Sequence, residues 1–365
     1  MYKVTIQPQW ELHTEDGQRL PPRLAELLLA IRDTGSLAAA CRQTGLSYRY
    51  AWGTLREARR LFGQPLLRAT RGRGASLAPI GERLVWAEQR IAARLAPTLQ
   101  SLASELETEL ERVFRQEAAP LRLHASHGFG VETLRRCMVL AGAPLELKYR
   151  SPDDALAALR NDACDLASLH LPIGELENDL LAHYRDRLDP HGDCVLHLAT
   201  RTQGLVLAPG NPKRIHALPD LLRADVRFIH RQPGSGTRLL LERLLAQQGL
   251  PLSALHGADM EELTHAAVAA YVAIGLADAG FGLEPPARRY GLEFIPIVSE
   301  RYFLLCRREA LDSGRLAPIV DLLRSDTFQH ELGLLPGYDA HDCGRVQGVA
   351  EAFVGIRDSG FGIRD

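Results

Sequence analysis

The sequence predicts an α/β protein in three parts: a short N-terminal helical segment, one long helix, and a larger C-terminal region. Three observations predict this class. Apolar residues recur at helical spacing early in the chain, and a second helical stripe runs from residue 80 to 116. From residue 121 onward, short strand-like runs alternate with helical runs, which is typical of α/β layers with mostly parallel strands. The 365 residues, 46% hydrophobic and 24% charged, suffice for two or three globular domains.

Composition excludes several classes of protein. No apolar run reaches the roughly 18 residues of a membrane span. The first residues lack the basic-then-apolar order of a signal peptide, so we expect a cytoplasmic protein that does not act at a membrane. The cysteines are far apart and the histidines lack metal-ligand spacing, so we expect reduced thiols, no metal and no cofactor. The six cysteines are Cys41, Cys137, Cys164, Cys194, Cys306 and Cys343.

The first eighty residues have the pattern of a helix-turn-helix. Residues 2–12 alternate loosely like a strand, and an amphipathic helix follows. Ser36 is placed to cap a second helix, which Gly45 ends, and Ser47 is placed to cap a third. Helix, tight glycine turn and helix is the shape of this DNA-binding motif. The apolar positions of the first helix are Leu24, Leu27, Leu28 and Ile31.

The third helix has two opposite faces. One face is apolar, and the other carries arginines with a glycine that leaves room for close approach. The apolar face holds Ala51, Leu55, Ala58 and Phe62, and the other holds Arg49, Gly53, Arg56 and Arg60. Arg49 lies in the first turn, where a recognition helix meets base edges, whereas the later arginines are better placed for phosphates. Ser47, Tyr48 and Tyr50 complete the candidate contacts of this helix, with packing as the alternative for the tyrosines.

Charge supports a polyanionic partner. The net charge is only −2, but residues 40–75 hold eight arginines against one acid, Glu57. A solvated helix face would normally alternate acids with bases.

A second arginine-rich stretch, "QPLLRATRGRGASLAP", predicts two strands joined by a glycine turn, with Arg71 and Arg73 at its tip. This is the wing of a winged helix-turn-helix. Together, "GSLAAACRQTGLSYRYAW" and "GQPLLRATRGRGASLAPIGERLV" resemble the DNA-binding domain of the molybdate-responsive (ModE-like) regulators, which are relatives of the LysR-type regulators. The resemblance covers roughly residues 20–85 and implies double-stranded DNA as a partner.

The long helix is predicted to pair with a second copy. Its apolar stripe would extend over roughly 55 Å at about 1.5 Å per residue, and we expect it to form a homodimer or a homotetramer. Pro97 should kink or break the helix. The alternative is a core helix of one domain. The stripe comprises Ile91, Leu95, Leu99, Leu102, Leu106, Leu110 and Val113.

The C-terminal region contains a turn suited to an anion. The run "VRFIHRQPGSGTRLLLERLL" predicts a strand, a glycine-rich turn and a helix, and unpaired amides at a helix start attract anions. The G-K-[ST] of a nucleotide-binding loop is absent. Helix capping without a ligand is the alternative. Two similar lobes are indicated by "LAALRNDACDLASLH" and "VAAYVAIGLADAGFG", which both run from helix to strand.

Residues 121–345 also resemble the type 2 periplasmic-binding-protein fold, on segments such as "ASHG", "DLASLHLP" and "FIHRQPGSGTRLLLE". The resemblance implies two lobes that close on a small anionic effector. It places a first group of residues near the ligand, with His170, Arg201 and His265 as a second group. The first group is Ser126, His127, Arg231, Ser235, Gly236, Thr237 and Tyr302. The alternatives are an Arg231–Asp278 ion pair, satisfied core histidines, and a Tyr302 that only packs.

These observations predict a ligand-responsive transcription regulator that is not an enzyme. Molybdate or tungstate is one candidate effector, and a small carboxylate such as formate is the other. Two alternative functions are an enzyme using His127 or His170 as acid–base, and a constitutive DNA-binding protein. The predicted domains are residues 1–80 (winged helix-turn-helix), 81–117 (linker and dimerisation helix), 118–350 (two-lobed ligand-binding domain) and 351–365 (a disordered tail containing a G-I-R-D repeat).

Overall fold

The computed structural model describes residues 3–70, 74–115, 120–143 and 145–353. It divides into two compact units: Gln7–Leu95, and Met1–Ile6 together with Ala96–Asp365. We call these the N-terminal unit and the C-terminal unit. One long helix, Pro79–Arg115, contributes residues to both. Arg71, Arg73 and residues 354–365 of the tail lie outside the described residues.

The N-terminal unit is a winged helix-turn-helix. Its elements are α1 (Leu24–Thr34), α2 (Leu37–Thr44), α3 (Tyr48–Phe62), the antiparallel hairpin of β1 (Leu67–Thr70) and β2 (Gly74–Leu77), and the start of α4 (Pro79–Arg115). The predicted caps form as expected: the hydroxyl of Ser36 accepts from the amide of Ala39, and that of Ser47 from the amide of Tyr50. Gly45 ends α2 in the left-handed conformation at φ 68°.

The strand predicted at the start of the chain and a break of the long helix at Pro97 were both wrong, while the kink predicted there as the alternative stays a prediction. In the described part of the segment predicted as a strand, residues 3–12 have no strand pairing, and the nearest bridge joins His13 to Arg19. Alternating side chains do not suffice for a strand when no neighbouring strand takes up the backbone hydrogen bonds. Pro97 does not break the long helix, since α4 continues through it to Arg115.

The C-terminal unit is built on one ten-stranded sheet. Its strands are β3 (Leu121–Ala125), β4 (Leu145–Tyr149), β5 (Leu166–Pro172), β6 (Asp193–Leu207), β7 (Phe228–Arg231), β8 (Gly257–Glu262), β9 (Ala279–Leu283), β10 (Glu293–Arg307), β11 (Tyr338–Asp339) and β12 (Val346–Gly348). Its helices are α5 (Phe129–Leu140), α6 (Pro152–Arg160), α7 (Leu176–Tyr184), α8 (Gly236–Gln247), α9 (His265–Ala273), α10 (Glu284–Arg289), α11 (Arg308–Asp312), α12 (Ala317–Arg324), α13 (Asp326–Gly333) and α14 (Val349–Ala352).

The sheet contains the same motif twice. The spatial order is β4-β3-β5-β10-β6-β9-β7-β8, so β4-β3-β5 and β8-β7-β9 are two parallel three-stranded halves. Each half runs strand, helix, strand, helix, strand, which agrees with the two lobes that the sequence indicated. The long strands β6 and β10 join the halves and pair antiparallel with each other and with β9 and β5. The sheet is therefore mixed, and the expectation of mostly parallel strands was wrong at its centre.

Hydrophobic packing covers both faces of this sheet. One cluster includes buried side chains of α6, α7 and α8, and the other includes those of α5, α12 and α13. Residues of β5 supply both clusters, with Leu169 in the first and Leu166 in the second. Packing on both faces holds the loops at the strand ends in place, and these loops build the candidate site.

The second half of α4 covers one edge of the sheet. The Ser104 hydroxyl accepts from the amide of Leu147 at 2.8 Å, and the Ser101 hydroxyl accepts from the amide of Tyr149 at 3.0 Å. These serines satisfy donors of the edge strand β4 that would otherwise invite pairing with another chain. The same contacts explain why α4 persists beyond Pro97, because they fix the turn that follows the proline.

Candidate functional site

The outward face of α3 is exposed, as the sequence predicted. Arg49, Arg56 and Arg60 are exposed, while Ala51 and Ala58 on the opposite face are fully buried. Arg60 is engaged locally, since its Nη2 donates to Glu57 at 2.7 Å. The face thus offers guanidinium groups at a spacing that suits base edges and phosphates.

Aromatic side chains extend this face. Tyr48 and Tyr50 are 53% and 42% exposed, so the packing alternative does not apply to them. Trp52, which the sequence analysis did not select, is 55% exposed. The sequence could have indicated this exposure, because Trp52 lies four residues from both Tyr48 and Arg56 and therefore on the same side of the helix. The oxygen of Ser47 is already used in capping α3.

Helix starts from the two halves of the sheet approach each other in the C-terminal unit, and we call the space beside them the cleft. In each half, the loops after the first and second strands lead into a helix: α5 and α6 in one half, α8 and α9 in the other. Gly236 at the start of α8 approaches Pro152 at the start of α6 so closely that a Cβ on Gly236 would lie 3.6 Å from the proline Cγ. Helix starts present unpaired N–H groups and partial positive charge, so this cleft suits an anion.

Capping uses part of the hydroxyl capacity at these helix starts. The Ser235 oxygen accepts from the amide of Arg238 at 3.2 Å, and the Thr264 oxygen accepts from the amide of Ala267 at 3.0 Å. A hydroxyl that accepts from a backbone amide still has its own proton to donate. Ser235 and Thr237 are both buried at the start of α8, with Gly236 between them.

Arg231 reaches the cleft from the end of β7. Its side chain is 8% exposed, and its Nη2 donates to the carbonyl of Leu263 at 2.9 Å. Within the part of the chain that the structure describes, no group accepts a hydrogen bond from its Nη1. Burial, together with the charge of Arg201, lowers the pKa of Arg231 to about 10. The expected alternative partner, Asp278, instead pairs with Arg227 at 3.0 Å. Arg231 is therefore a buried cation with an unused donor.

Arg201 is held differently, by a carboxylate. It lies on β6 opposite Glu300 of β10, and its Nε donates to Glu300 Oε1 at 2.5 Å. The same oxygen accepts from Gln203 Nε2 at 2.8 Å. The Arg201 guanidinium lies 4.6 Å from the centre of the Tyr302 ring. Sequence reasoning missed Glu300 and Gln203, although an acid within the apolar run of β10 was a signal.

Two buried histidines complete the polar surroundings. The rings of His170 and Tyr302 lie 4.1 Å apart between centroids, and burial with the charge of Arg201 lowers the pKa of His170 well below its usual range. The Nδ1 of His265 accepts from the amide of Leu283 at 3.3 Å. Burial, followed by the charge of Arg231, lowers the pKa of His265 well below its usual range. A neutral His265 whose Nδ1 accepts must carry its proton on Nε2, where it is a donor.

The loop between β3 and α5, which contains Ser126 and His127, contacts the same group of polar side chains. The Tyr302 hydroxyl donates to the carbonyl of Ser126 at 3.5 Å, and the amide of Ser126 donates to Ser168 Oγ at 2.9 Å. His127 Nε2 lies 3.1 Å from Glu132 Oε1. The neighbouring Gly128 lies close to Arg201, since a Cβ on this glycine would lie 3.3 Å from Arg201 Nη1. What the structure brings together is thus an assembly of donors around the cleft.

Neither a metal centre nor a membrane segment is present in the described ranges. No group of three or more His, Cys, Asp or Glu side chains there could hold a metal ion. None of the helices described combines the length and the apolar character that crossing a bilayer requires. The six cysteines are free and buried.

Each of the two units matches a known protein family. Residues 138–324, just over half of the chain, match the PBP superfamily domain. The chain belongs to the PBP superfamily. Residues 22–82 match the bacterial regulatory helix-turn-helix protein family of lysR type. The two matches confirm the predicted LysR-type helix-turn-helix and the predicted effector-domain fold. The helix-turn-helix match lies in the N-terminal unit, and the PBP superfamily match lies in the C-terminal unit.

Individual relatives are more distant. The uncharacterized protein YvgK of Bacillus subtilis (strain 168) is 31% identical over 199 residues, which are 54% of this chain and 64% of that protein. The molybdenum-pterin-binding protein MopB of Rhodobacter capsulatus is 37% identical over 103 residues, or 27% of this chain and 38% of that protein. Each alignment spans less than two thirds of the relative. Among solved structures, the full-length LysR-type regulator LysG from Corynebacterium glutamicum, with its effector arginine bound, is 18% identical. That likeness covers 82% of this chain and 95% of LysG at a TM-score of 0.38.

Proposed function

We propose that this chain is a cytoplasmic transcription regulator that binds double-stranded DNA through its N-terminal unit and a small anion in the cleft of its C-terminal unit. One observation carries the anion site: Arg231 is buried with an unused Nη1 donor at the end of β7, just before the turn that leads into α8. A buried cation without a partner is costly, and proteins retain such groups where a ligand completes them.

The anion would be bound mainly by donors. Arg231 Nη1, the Nε2 of His265 and the amides at Gly236 and Thr237 are the groups best placed to donate. Ser126, Ser235 and Thr237 can add hydroxyl donors, and His127, His170, Arg201 and Tyr302 would form the surrounding shell. Charge-assisted bonds from a guanidinium would supply most of the affinity.

The effector is molybdate or tungstate, or a small carboxylate such as formate. The named binding property of MopB favours the molybdenum class. The cleft favours a small ligand of either class, because little space separates Gly236 from Pro152. A Cβ placed on Gly236 would already be in van der Waals contact with the proline ring.

DNA binding would use α3 and the wing. We propose that Arg49 contacts base edges, that Arg56 and Arg60 contact phosphates, and that Tyr48 and Tyr50 add contacts, with Ser47 fixing the helix start. Arg71 and Arg73 would extend this surface from the turn between β1 and β2. The assignment of the α3 residues rests on their exposure and on the position of Arg49 in the first helical turn.

Self-association would present two recognition helices to one operator. Leu102 and Leu106 of α4 are 48% and 47% exposed, and Leu95 is 41% exposed. Exposed leucines at helical spacing favour a partner helix. We therefore propose a homodimer or homotetramer in which lobe closure on the anion changes the spacing of the recognition helices.

A thermal-shift titration of the full chain tests the anion site. The panel is molybdate, tungstate, sulfate, phosphate, formate and acetate, and at least one should raise the melting temperature. An anion at about one hundred times its Kd should add about 2.7 kcal/mol to the unfolding free energy. The Ser235→Ala and Thr237→Ala double variant should lose most of that shift. Ser325→Ala is the control, because Ser325 caps α13 in the same way outside the cleft. A protein that ignores every anion would instead be a constitutive DNA-binding protein.

Selection from a random duplex library tests the DNA face. The wild-type chain should enrich a two-fold related site, and Arg49→Ala should relax the preference at one position in each half-site. Arg32→Ala is the control, since Arg32 is exposed at the end of α1 and pairs with Asp33. Unchanged selectivity of the Arg49 variant would exclude the proposed base contact.

A further inference from the structure

Glu300 is a buried acid among groups that otherwise suit an anion. Its side chain is 4% exposed, and Oε1 accepts from both Arg201 and Gln203. It comes from β10 and faces Arg201 of β6 directly across the strand pair, where the two long strands join the halves of the sheet. Its position is therefore fixed by the sheet and not by a flexible loop.

The charges near the cleft nearly cancel. Glu300 matches Arg201, and a second carboxylate, Glu132, lies 3.1 Å from His127 Nε2. His170 and His265 are neutral at pH 7 because burial lowers the pKa of each. Among the side chains that the structure describes, no carboxylate lies within ion-pair distance of Arg231, although Glu262 on β8 acts on it through its charge. The cleft thus holds at most one uncompensated positive charge.

A ligand with one negative charge matches that balance. A doubly charged ligand would leave an uncompensated negative charge in a site of low dielectric, where it would also be repelled by the fixed carboxylate of Glu300. The helix starts supply partial positive charge to an anion of either kind, so they favour binding in general. Discrimination between singly and doubly charged anions must come from full charges, and Glu300 cancels the charge of one of the two guanidinium groups.

We propose that Glu300 makes the cleft selective for singly charged anions over doubly charged anions. The inference rests on the proposed function, because it concerns the same cleft. Of the two effector classes above, it favours a small carboxylate such as formate over the molybdate dianion. Glu300 is a specificity-determining residue that acts through Arg201 and through its own field.

Perrhenate and tungstate test charge alone, since both are tetrahedral oxyanions of nearly equal size that differ by one charge. Isothermal titration calorimetry of the full chain at pH 8 keeps tungstate doubly charged. Wild-type protein should bind perrhenate at least about tenfold more tightly than tungstate.

A variant locates the cause of the selectivity. Glu300→Gln preserves the size and one acceptor oxygen but removes the charge, so the preference for perrhenate over tungstate should fall at least about tenfold. Glu242→Gln is the matched control, because Glu242 pairs with Arg238 in the middle of α8 and its side chain is 41% exposed. The control should keep the wild-type ratio.

The outcomes are distinct. Tighter binding of tungstate by the wild-type chain would overturn the charge selectivity while leaving the anion site intact. An unchanged ratio in Glu300→Gln would overturn the assignment to Glu300. Failure of every anion in the wider panel to bind would overturn the proposed function and this inference together. If Glu300→Gln does not fold, the wild-type ratio alone still decides whether the cleft prefers single charge.

Discussion

Replacing Arg231 by methionine should stabilise the C-terminal unit and abolish its response to anions. The magnitude follows from the environment of the guanidinium. Burial lowers the pKa of Arg231 by more than two units from its ordinary value, to about 10. At about 1.4 kcal/mol for each tenfold change in proton affinity, holding the charged form in the fold at pH 7 costs about 3 kcal/mol. Methionine removes that cost and loses the hydrogen bond to the Leu263 carbonyl, worth about 1 kcal/mol. The expected net gain is about 2 kcal/mol.

The size of this stabilisation depends on pH in a defined way. Because the pKa of Arg231 is lower in the folded state than in the unfolded state, the cost is fully present below about pH 10. It diminishes as the pH rises toward the unfolded value, where the side chain is neutral in both states. Measurements between pH 7 and 8 therefore see the whole effect.

Differential scanning calorimetry measures the gain, and tryptophan fluorescence assigns the transitions. The chain has three tryptophans, Trp10, Trp52 and Trp86, and all of them lie in the N-terminal unit. A transition that the tryptophans do not follow belongs to the C-terminal unit. A gain of about 2 kcal/mol should raise its midpoint by about 4 °C. Saturating anion should raise the midpoint of the wild type and leave that of Arg231→Met unchanged.

Arg227→Met is the control for this experiment. Arg227 pairs with Asp278 at 3.0 Å and its side chain is 54% exposed, so its loss should destabilise the unit slightly and preserve the anion response. If Arg231→Met instead destabilises the protein by more than about 1 kcal/mol, or retains a wild-type anion shift, then Arg231 is a structural residue and the reasoning is refuted.

Two glycine positions give further predictions. Gly74→Ala should destabilise the N-terminal unit by about 2 kcal/mol in tryptophan-monitored urea unfolding, because its φ is left-handed and a Cβ would lie against the carbonyl of Gly35. Gly63→Ala, also left-handed but facing open space, should cost about 1 kcal/mol, and equal losses would contradict the clash. Gly236→Val should block closure against Pro152 and remove the anion-induced thermal shift, whereas Gly236→Ala should retain it. A full response from the valine variant would show that this approach of the two helix starts is not required.

Local chemistry was sufficient to predict the elements that depend on it. Ser36 and Ser47 cap their helices as predicted, since capping involves residues only three apart. Ser235, predicted as a ligand donor, also caps its helix, which was the alternative at that turn. The apolar and basic faces of α3 also follow from helical periodicity alone. The break expected at Pro97 did not occur, because contacts with the sheet edge stabilise the following turn and no local pattern reports such contacts.

The candidate site was harder to derive because its members are distant in sequence. Ser126 and Tyr302 interact across 176 positions, and only the strand order brings them together. The choice of Arg231 came from its turn and from the family resemblance, but its unused donor is visible only in three dimensions. In the sequence, Glu300 is one polar residue within a long predicted strand. Its position opposite Arg201 depends on the register between β6 and β10. Sequence periodicity does not fix that register when both faces of a strand are buried.

The most direct test of the anion site is a crystal of the full chain grown with perrhenate, with diffraction data collected at a rhenium absorption edge. If the anion binds at Arg231, we expect one strong anomalous peak within hydrogen-bonding distance of Arg231 Nη1 and of the amides at the start of α8. A cleft without such a peak, in crystals whose rhenium is bound elsewhere or not at all, would contradict it.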